Sequence, residues 1–120
     1  MQLLFRSSEE GPGNGLGLLE GRVLRLPSSV KTPHMGWNTI KISRNTDFLD
    51  GISEKDYFYF VHSYYPSPTD RYVTAAETEY GLIFPSVVAK GSIYGTQFHP
   101  EKSGKPGERI LRNFAQMIKK

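Results

Sequence analysis

The sequence predicts an α/β protein that is rich in β-strand and carries one amphipathic helix at its C-terminus. Short segments of alternating, or of aromatic and β-branched, residues recur along the chain between glycines and prolines, which is typical of strands joined by turns. The last segment instead carries apolar residues at helical spacing. With 120 residues, 38% of them hydrophobic, and no long linker, the chain is expected to form one compact unit.

The strands are predicted from alternation and from β-branched or aromatic runs. They lie at residues 22–26, 38–42, 57–61, 72–76, 79–84, 86–89 and 92–98. The run at 57–61, Tyr-Phe-Tyr-Phe-Val, is continuous, so we expect a buried strand there. Residues 33–37 are expected to form a loop, and Pro66 and Pro68 are expected to break the chain.

Three helical segments are predicted. Residues 1–6 are expected to be helical although no capping residue precedes them, and residues 47–52 are expected to form a short helical turn. The clearest helix is the last one. Its apolar face comprises Ile110, Leu111, Phe114, Met117 and Ile118. Its polar face comprises Arg109, Arg112, Asn113 and Gln116.

Composition excludes several classes of function. The longest strongly apolar run has five residues, against about 20 for a membrane span, and no secretory leader opens the chain, so we expect a cytoplasmic protein with no membrane partner. The net charge is +3, and residues 102–120 hold six basic side chains and one acidic. Such a cluster is compatible with phosphate or an acidic protein surface, but it is more typical of a solvated helix face, so we expect no nucleic-acid partner.

The chain contains no cysteine, which excludes a disulfide, a thiolate metal site and a cysteine nucleophile within these 120 residues. The three histidines, His34, His62 and His99, are far apart and irregularly spaced. That spacing does not match a zinc site, so we expect no bound metal.

The segment Gln-Phe-His-Pro-Glu at residues 97–101 carries the strongest chemical signal. On an extended chain, residues two apart face the same side, so Glu101 is expected to hold one imidazole nitrogen of His99. The other nitrogen would then be free to take a proton from a nucleophile. The alternative is a histidine and a glutamate at a strand end with no chemical role, and spacing alone does not decide between the two.

Three further residues, in two segments of the chain, are candidate binding residues. Ser63 and Tyr64 follow the predicted strand at 57–61, where ligands bind in open sheets, although a plain exit from the strand is equally compatible. Trp37, the only tryptophan, is either part of the core or an anchor for a protein partner. Its predicted loop position favours the anchor.

Five segments, taken together with their order and spacing, resemble a known family. They are Met-Gln-Leu-Leu-Phe (1–5), Gly-Leu-Gly-Leu-Leu-Glu-Gly (15–21), Pro-His-Met-Gly-Trp-Asn (33–38), Tyr-Phe-Val-His-Ser-Tyr (59–64) and Gly-Thr-Gln-Phe-His-Pro-Glu-Lys-Ser (95–103). Gln-Phe-His-Pro-Glu resembles class I glutamine amidotransferases in general. Pro-His-Met-Gly-Trp-Asn resembles one of them in particular, the glutaminase subunit of imidazole glycerol phosphate synthase.

The resemblance implies the fold and the extent of the domain. Residues 1–120 would be a partial type-1 glutamine amidotransferase domain, the C-terminal part of a class I fold with a mixed sheet. In the family, Met-Gln-Leu-Leu follows a Gly-x-Cys-x-Gly turn whose cysteine attacks glutamine. We therefore expect this chain to lack the nucleophile and to be inactive alone. No metal or organic cofactor is implied.

The resemblance also implies roles for single residues. His99 would be the general acid and base and Glu101 the residue that orients it. Contacts to the substrate L-glutamine would come from Gln2, Ser63 and Tyr64, and contacts to the partner from Trp37 and Lys102. That partner would be a (β/α)8-barrel cyclase, which receives the ammonia released from glutamine during histidine biosynthesis.

Three interpretations remain open. The chain is either an incomplete glutaminase or a non-catalytic module that docks the barrel cyclase through Trp37 and Lys102 without hydrolysing glutamine. A glutaminase of another class I pathway is the third possibility, and it requires the match at residues 33–38 to be coincidental.

Overall fold

The computed structural model describes residues 5–8, 19–91 and 93–118, which form nine strands and one α-helix. The elements are β1 Phe5–Ser8, β2 Leu19–Arg25, β3 His34–Thr39, β4 Lys41–Ile42, β5 Tyr57–His62, β6 Tyr64–Pro68, β7 Thr74–Glu79, β8 Ile83–Lys90, β9 Ile93–Thr96 and α1 Gly104–Ile118. Short 3-10 turns lie at Asp47–Leu49, Arg71–Val73 and Pro100–Lys102.

The strands form three sheets, with the orders β1-β2-β6, β3-β5 and β4-β7-β8-β9. β1 and β2 are parallel, and every other pair in the described part of the chain is antiparallel. The expected α/β architecture, a mixed β-rich arrangement that closes with a helix, is confirmed. No helix in the described ranges is long and apolar enough to cross a membrane.

The main core lies where β5, β8 and α1 meet. Phe58, Phe60 and Phe84 are completely buried there, and Phe98 and Ile110 pack into the same cluster. Burial of one such side chain contributes about 1.5 to 3 kcal/mol to folding. The position of β5, which carries two of these phenylalanines, is therefore strongly determined.

The strand predicted at residues 57–61 is confirmed, but it is buried on one face only. Phe58, Phe60 and His62 point into the core, whereas Tyr57 and Val61 are exposed. β5 belongs to a two-stranded antiparallel sheet covered on one side, and successive side chains of a strand point to opposite faces. The continuous apolar run therefore has an exposed outer face.

The loop predicted at residues 33–37 is wrong, because His34–Thr39 forms β3. It pairs with β5 along its whole length, from His34 opposite His62 to Thr39 opposite Tyr57. His-Met-Gly-Trp has little strand preference of its own, so the pairing with β5 decides its conformation.

Residues 5 and 6 are also not helical. They belong to β1, which pairs in parallel with β2, and residues 1–4 lie outside the described residues. The expected break at Pro66 and Pro68 is likewise wrong, because both belong to β6. This strand is at the edge of its sheet, where a missing N–H is tolerated.

The single strand predicted at residues 79–84 is two strand ends joined by a tight hairpin. β7 ends at Glu79, β8 begins opposite it at Ile83, and Gly81 between them has a φ of 74°. That left-handed conformation is one that glycine adopts without steric cost.

Helix α1 is confirmed, but its buried face is rotated from the predicted one. The buried positions are Gly107, Ile110 and Asn113, while Leu111 and Phe114 are exposed. Asn113, predicted to be on the polar face, is only 6% exposed, and its Nδ2 donates to the carbonyls of Phe48 at 3.1 Å and Asp50 at 2.8 Å. The carbonyls around the 3-10 turn at Asp47–Leu49 require a donor there, and α1 is oriented to supply it.

We expect Asn113→Ala to destabilise the fold by about 1 to 3 kcal/mol, because two carbonyl acceptors lose their donor. The measurement is the free energy of unfolding in urea. Gln116→Ala, a truncation at an exposed position of the same helix, is the matched control. Equal stability of the two variants would contradict the role given to Asn113.

Candidate active site

His99 and Glu101 lie on a short 3-10 turn that joins the last strand to α1. His99 caps the turn, Pro100 is its first residue, and the His99 Nδ1 lies 3.3 Å from a Glu101 carboxylate oxygen. The predicted contact is present, but the backbone between the two residues is a 3-10 turn and not extended. The His99 side chain is 40% exposed, so solvent and a substrate can reach it.

The contact assigns the hydrogens on the His99 ring. A carboxylate only accepts hydrogen bonds, so Nδ1 carries the hydrogen, and Nε2 of the neutral ring has a free lone pair. The pair therefore has the arrangement of a base with its orienting carboxylate.

The backbone of the turn is bonded to β5. The amide of His99 donates to the carbonyl of Tyr59 at 2.9 Å. Because β3 occupies one edge of β5, this bond places the turn on the opposite edge. His99 is thus positioned by the strand that also supplies the core phenylalanines.

The other two histidines form a buried pair on β3 and β5, which sequence reasoning weighed only as metal ligands. His34 on β3 and His62 on β5 are buried, and His34 Nδ1 is 3.0 Å from His62 Nε2. His62 Nδ1 is 2.9 Å from the carbonyl of Tyr64. Because that carbonyl is an acceptor, His62 Nδ1 donates, His62 Nε2 accepts, and His34 Nδ1 is the donor between the rings.

The aromatic surroundings keep this pair neutral. His34 stacks on Tyr80, with ring centroids 3.9 Å apart, and on Phe60 at 4.9 Å. Burial, and secondarily the charge of His62, lowers the pKa of His34 to about 4. Burial also lowers the pKa of His62, and the charge of His99 acts in the same direction. Both rings are therefore uncharged at neutral pH.

Ser63 and Tyr64 lie at the end of β5. Ser63 is the bend between β5 and β6, and its carbonyl accepts a hydrogen bond from the amide of Leu26 at 2.9 Å. The Tyr64 ring lies under the guanidinium of Arg25, 5.7 Å away. Gln2 lies outside the described residues. The structure thus bonds the His99 turn to Tyr59 of β5, places Ser63 just after the end of that strand, and gives no position for Gln2.

Trp37 is on strand β3 and not in a loop, but it is 55% exposed. Its ring contacts that of Tyr59 edge to face, with centroids 5.6 Å apart. Alternation places five side chains on one surface, here called the β3–β5 outer face: Met35, Trp37, Tyr57, Tyr59 and Val61. Lys102 is exposed at the end of the turn that carries His99.

A cavity lies elsewhere in the described part of the chain. It has a volume of about 520 Å³, is open to solvent, and is lined by residues that include Arg44, Tyr65 and Arg71. None of its lining residues is a candidate site residue. In the described part of the chain, no three histidine, aspartate or glutamate side chains are grouped as metal ligands would be.

Comparison with known proteins places the chain in a family. Residues 1–118 match the sequence model of the class-I glutamine amidotransferases. The chain belongs to this family. Among curated members, it is 49% identical over 120 residues to the imidazole glycerol phosphate synthase subunit HisH of Caldanaerobacter subterraneus, a match that covers 99% of this chain and 59% of that protein. The HisH subunit of Archaeoglobus fulgidus is 51% identical over 122 residues, with 100% and 61% coverage.

Solved structures agree on the amidotransferase fold. The structure of PurLQS from Thermotoga maritima superposes with a TM-score of 0.69 over 86% of this chain and 55% of that one, at 19% identity. The family resemblance expected from the five segments is confirmed. The chain spans about three fifths of the length of the curated amidotransferase relatives it matches.

The lowered pKa of His34 predicts a specific loss of stability in acid. Below pH 6.5 the unfolded chain takes up a proton at this residue, whereas the folded chain resists it until about pH 4. The contribution of His34 to the free energy of unfolding is therefore complete above pH 6.5. It falls by roughly 1 kcal/mol per pH unit between pH 6.5 and pH 4. Urea unfolding at several pH values measures this slope.

His34→Gln retains a donor but does not titrate, so its stability should fall less steeply over the same interval. His99→Gln is the control, because His99 is half exposed and lies outside the buried pair. If the wild type and His34→Gln have parallel pH profiles, the buried neutral pair is contradicted.

Proposed function

We propose that residues 1–120 are part of a type-1 amidotransferase domain, and that the whole protein is the cytoplasmic glutaminase subunit of an imidazole glycerol phosphate synthase. It would hydrolyse glutamine to glutamate and ammonia, and the ammonia would pass to a cyclase in histidine biosynthesis. The observation that carries this proposal is the His99–Glu101 pair, held on the edge of β5 in a chain about 50% identical to HisH subunits.

The proposed role of His99 follows from its hydrogens. With Nδ1–H directed at Glu101, Nε2 takes the proton of a cysteine thiol as its sulfur adds to the glutamine amide carbon. The protonated ring then gives this proton to the leaving nitrogen, and ammonia departs as the thioester forms. A water molecule, deprotonated by the same Nε2, hydrolyses the thioester to glutamate.

The residues of this chain supply only part of that reaction. They contain the base and its orienting carboxylate but no cysteine. The thiol must therefore come from a part of the enzyme outside these 120 residues. Without a nucleophile, a correctly placed base gives almost no acceleration.

We assign substrate contacts to Ser63, Tyr64 and Gln2. The position of Ser63 at the bend between β5 and β6 supports this assignment, because polar groups at strand ends commonly line ligand sites. For Gln2, the proposal rests on the family motif alone.

We assign the β3–β5 outer face, together with Lys102, to the (β/α)8-barrel cyclase. This face exposes methionine, tryptophan and tyrosine side chains, which are the types enriched at the centres of protein interfaces. Trp37 and Tyr59 support each other through their edge-to-face contact, which provides a rigid aromatic anchor. Lys102 would contribute a charge at the edge of this surface.

A non-catalytic docking module is the second candidate. The exposed aromatic face and the absence of cysteine favour it for the chain taken alone. Binding to a cyclase by the whole protein without release of ammonia would be its signature.

We expect the 120-residue chain to show no glutaminase activity, with or without the cyclase subunit, because no residue can form the thioester. Ammonia release from glutamine measures this, and His99→Ala provides the background. A rate clearly above that background would contradict the proposed need for an external cysteine.

We expect Trp37→Ala to weaken binding to a purified cyclase subunit by about 30-fold, corresponding to about 2 kcal/mol for a central aromatic anchor. Isothermal titration calorimetry measures the Kd. Tyr72→Ala, which removes an even more exposed aromatic ring outside the β3–β5 outer face, should bind as the wild type does. Equal affinities of the two variants would contradict the docking assignment.

A further inference from the structure

The turn that carries His99 ends in a buried serine with two hydrogen bonds. Ser103 is 1% exposed. Its Oγ accepts a hydrogen bond from the amide of Tyr59 at 2.9 Å and donates one to the carbonyl of His99 at 2.6 Å. The donor in each bond is unambiguous, since an amide only donates and a carbonyl only accepts.

Tyr59 is bonded to this turn through both of its backbone groups. Its carbonyl accepts from the amide of His99, and its amide donates to Ser103. Together the three bonds form a closed set that holds the amide and the carbonyl of His99. The direction of the His99 Cα–Cβ bond is therefore fixed relative to β5.

Little space remains around Ser103 for a different side chain. A Cβ placed on Gly107 of α1 would lie 1.9 Å from the carbonyl oxygen of Pro100 and 2.8 Å from the Ser103 Cβ. The helix thus packs directly against the turn. A small side chain with one hydroxyl satisfies both the steric limit and the two bonds.

We propose that Ser103 is a positioning residue for His99: its hydroxyl fixes the His99 turn to Tyr59 and so directs Nδ1 of the His99 ring at Glu101. This inference rests on the proposed function, in which His99 is the base. Ser103 touches neither substrate nor nucleophile, and it acts only through the backbone of His99.

The test is nuclear magnetic resonance on the 120-residue chain, with ¹⁵N-labelled histidine for the His99 tautomer and hydrogen exchange for the Tyr59 amide. In the wild type, His99 should be a single Nδ1–H tautomer. In Ser103→Ala, the amide of Tyr59 should exchange about tenfold faster than in the wild type, and both tautomers of His99 should be present.

Ser43→Ala is the matched control, because its exposed hydroxyl bonds to Glu77 and lies far from the turn in sequence. It should leave the His99 ring signals and the exchange of Tyr59 unchanged. If Ser103→Ala does not fold, Ser103→Cys decides, because a thiol of nearly the same size is a weak hydrogen-bond partner. A mixed tautomer in that variant would support the proposal.

A folded Ser103→Ala or Ser103→Cys variant with the wild-type tautomer of His99 would overturn the positioning role, even if its melting temperature were lowered. None of these measurements uses glutaminase activity. An unchanged His99 tautomer in the Ser103 variants would therefore leave the proposed reaction standing. Glutaminase activity in an enzyme that lacks His99 would overturn the proposed reaction without bearing on the role of Ser103.

Discussion

Alternation along β5 is the constraint on which the rest of the structure depends. Its inward side chains, Phe58 and Phe60, fix the strand in the core, and its outward ones form the exposed aromatic face. One backbone edge is paired with β3, and the other bonds to the turn that carries His99. A single six-residue strand therefore brings the core, the proposed docking surface and the proposed base into one fixed arrangement.

The histidine pair shows how such an arrangement accommodates polar groups inside the fold. His34 and His62 occupy inward positions where an apolar side chain would be usual. One nitrogen of each ring bonds the other ring, and the second nitrogen of His62 bonds a backbone carbonyl. The last acceptor in this chain of bonds is the carbonyl of Tyr64, at the start of β6. A buried, hydrogen-bonded pair of this kind makes the packing of β3 on β5 specific in register, since a slip of β3 by one residue would turn His34 to the outer face and leave His62 without its partner.

The elements predictable from the sequence were those with a strong local pattern. The aromatic run of β5 and the periodicity of α1 are local signals, and the close spacing of His99 and Glu101 brings them together whether the chain is extended or in a 3-10 turn. β3 and β6 were missed because their conformation comes from partners distant in sequence, β5 and β2. The burial of Asn113 depends on carbonyls more than sixty residues away, which no helical pattern reveals. Likewise, only the register of β3 on β5 brings His34 to His62.

The contact between Gly107 and the carbonyl of Pro100 has a consequence for how substitutions act on this protein. A single methyl group added at Gly107 would force α1 and the turn apart. Because the turn is hydrogen-bonded to β5, a shift of the turn would strain those bonds. A position with little steric tolerance is thus on a helix, at a residue with no side chain to take part in chemistry. A purely mechanical change at Gly107 would be transmitted to the proposed base as directly as a change beside it.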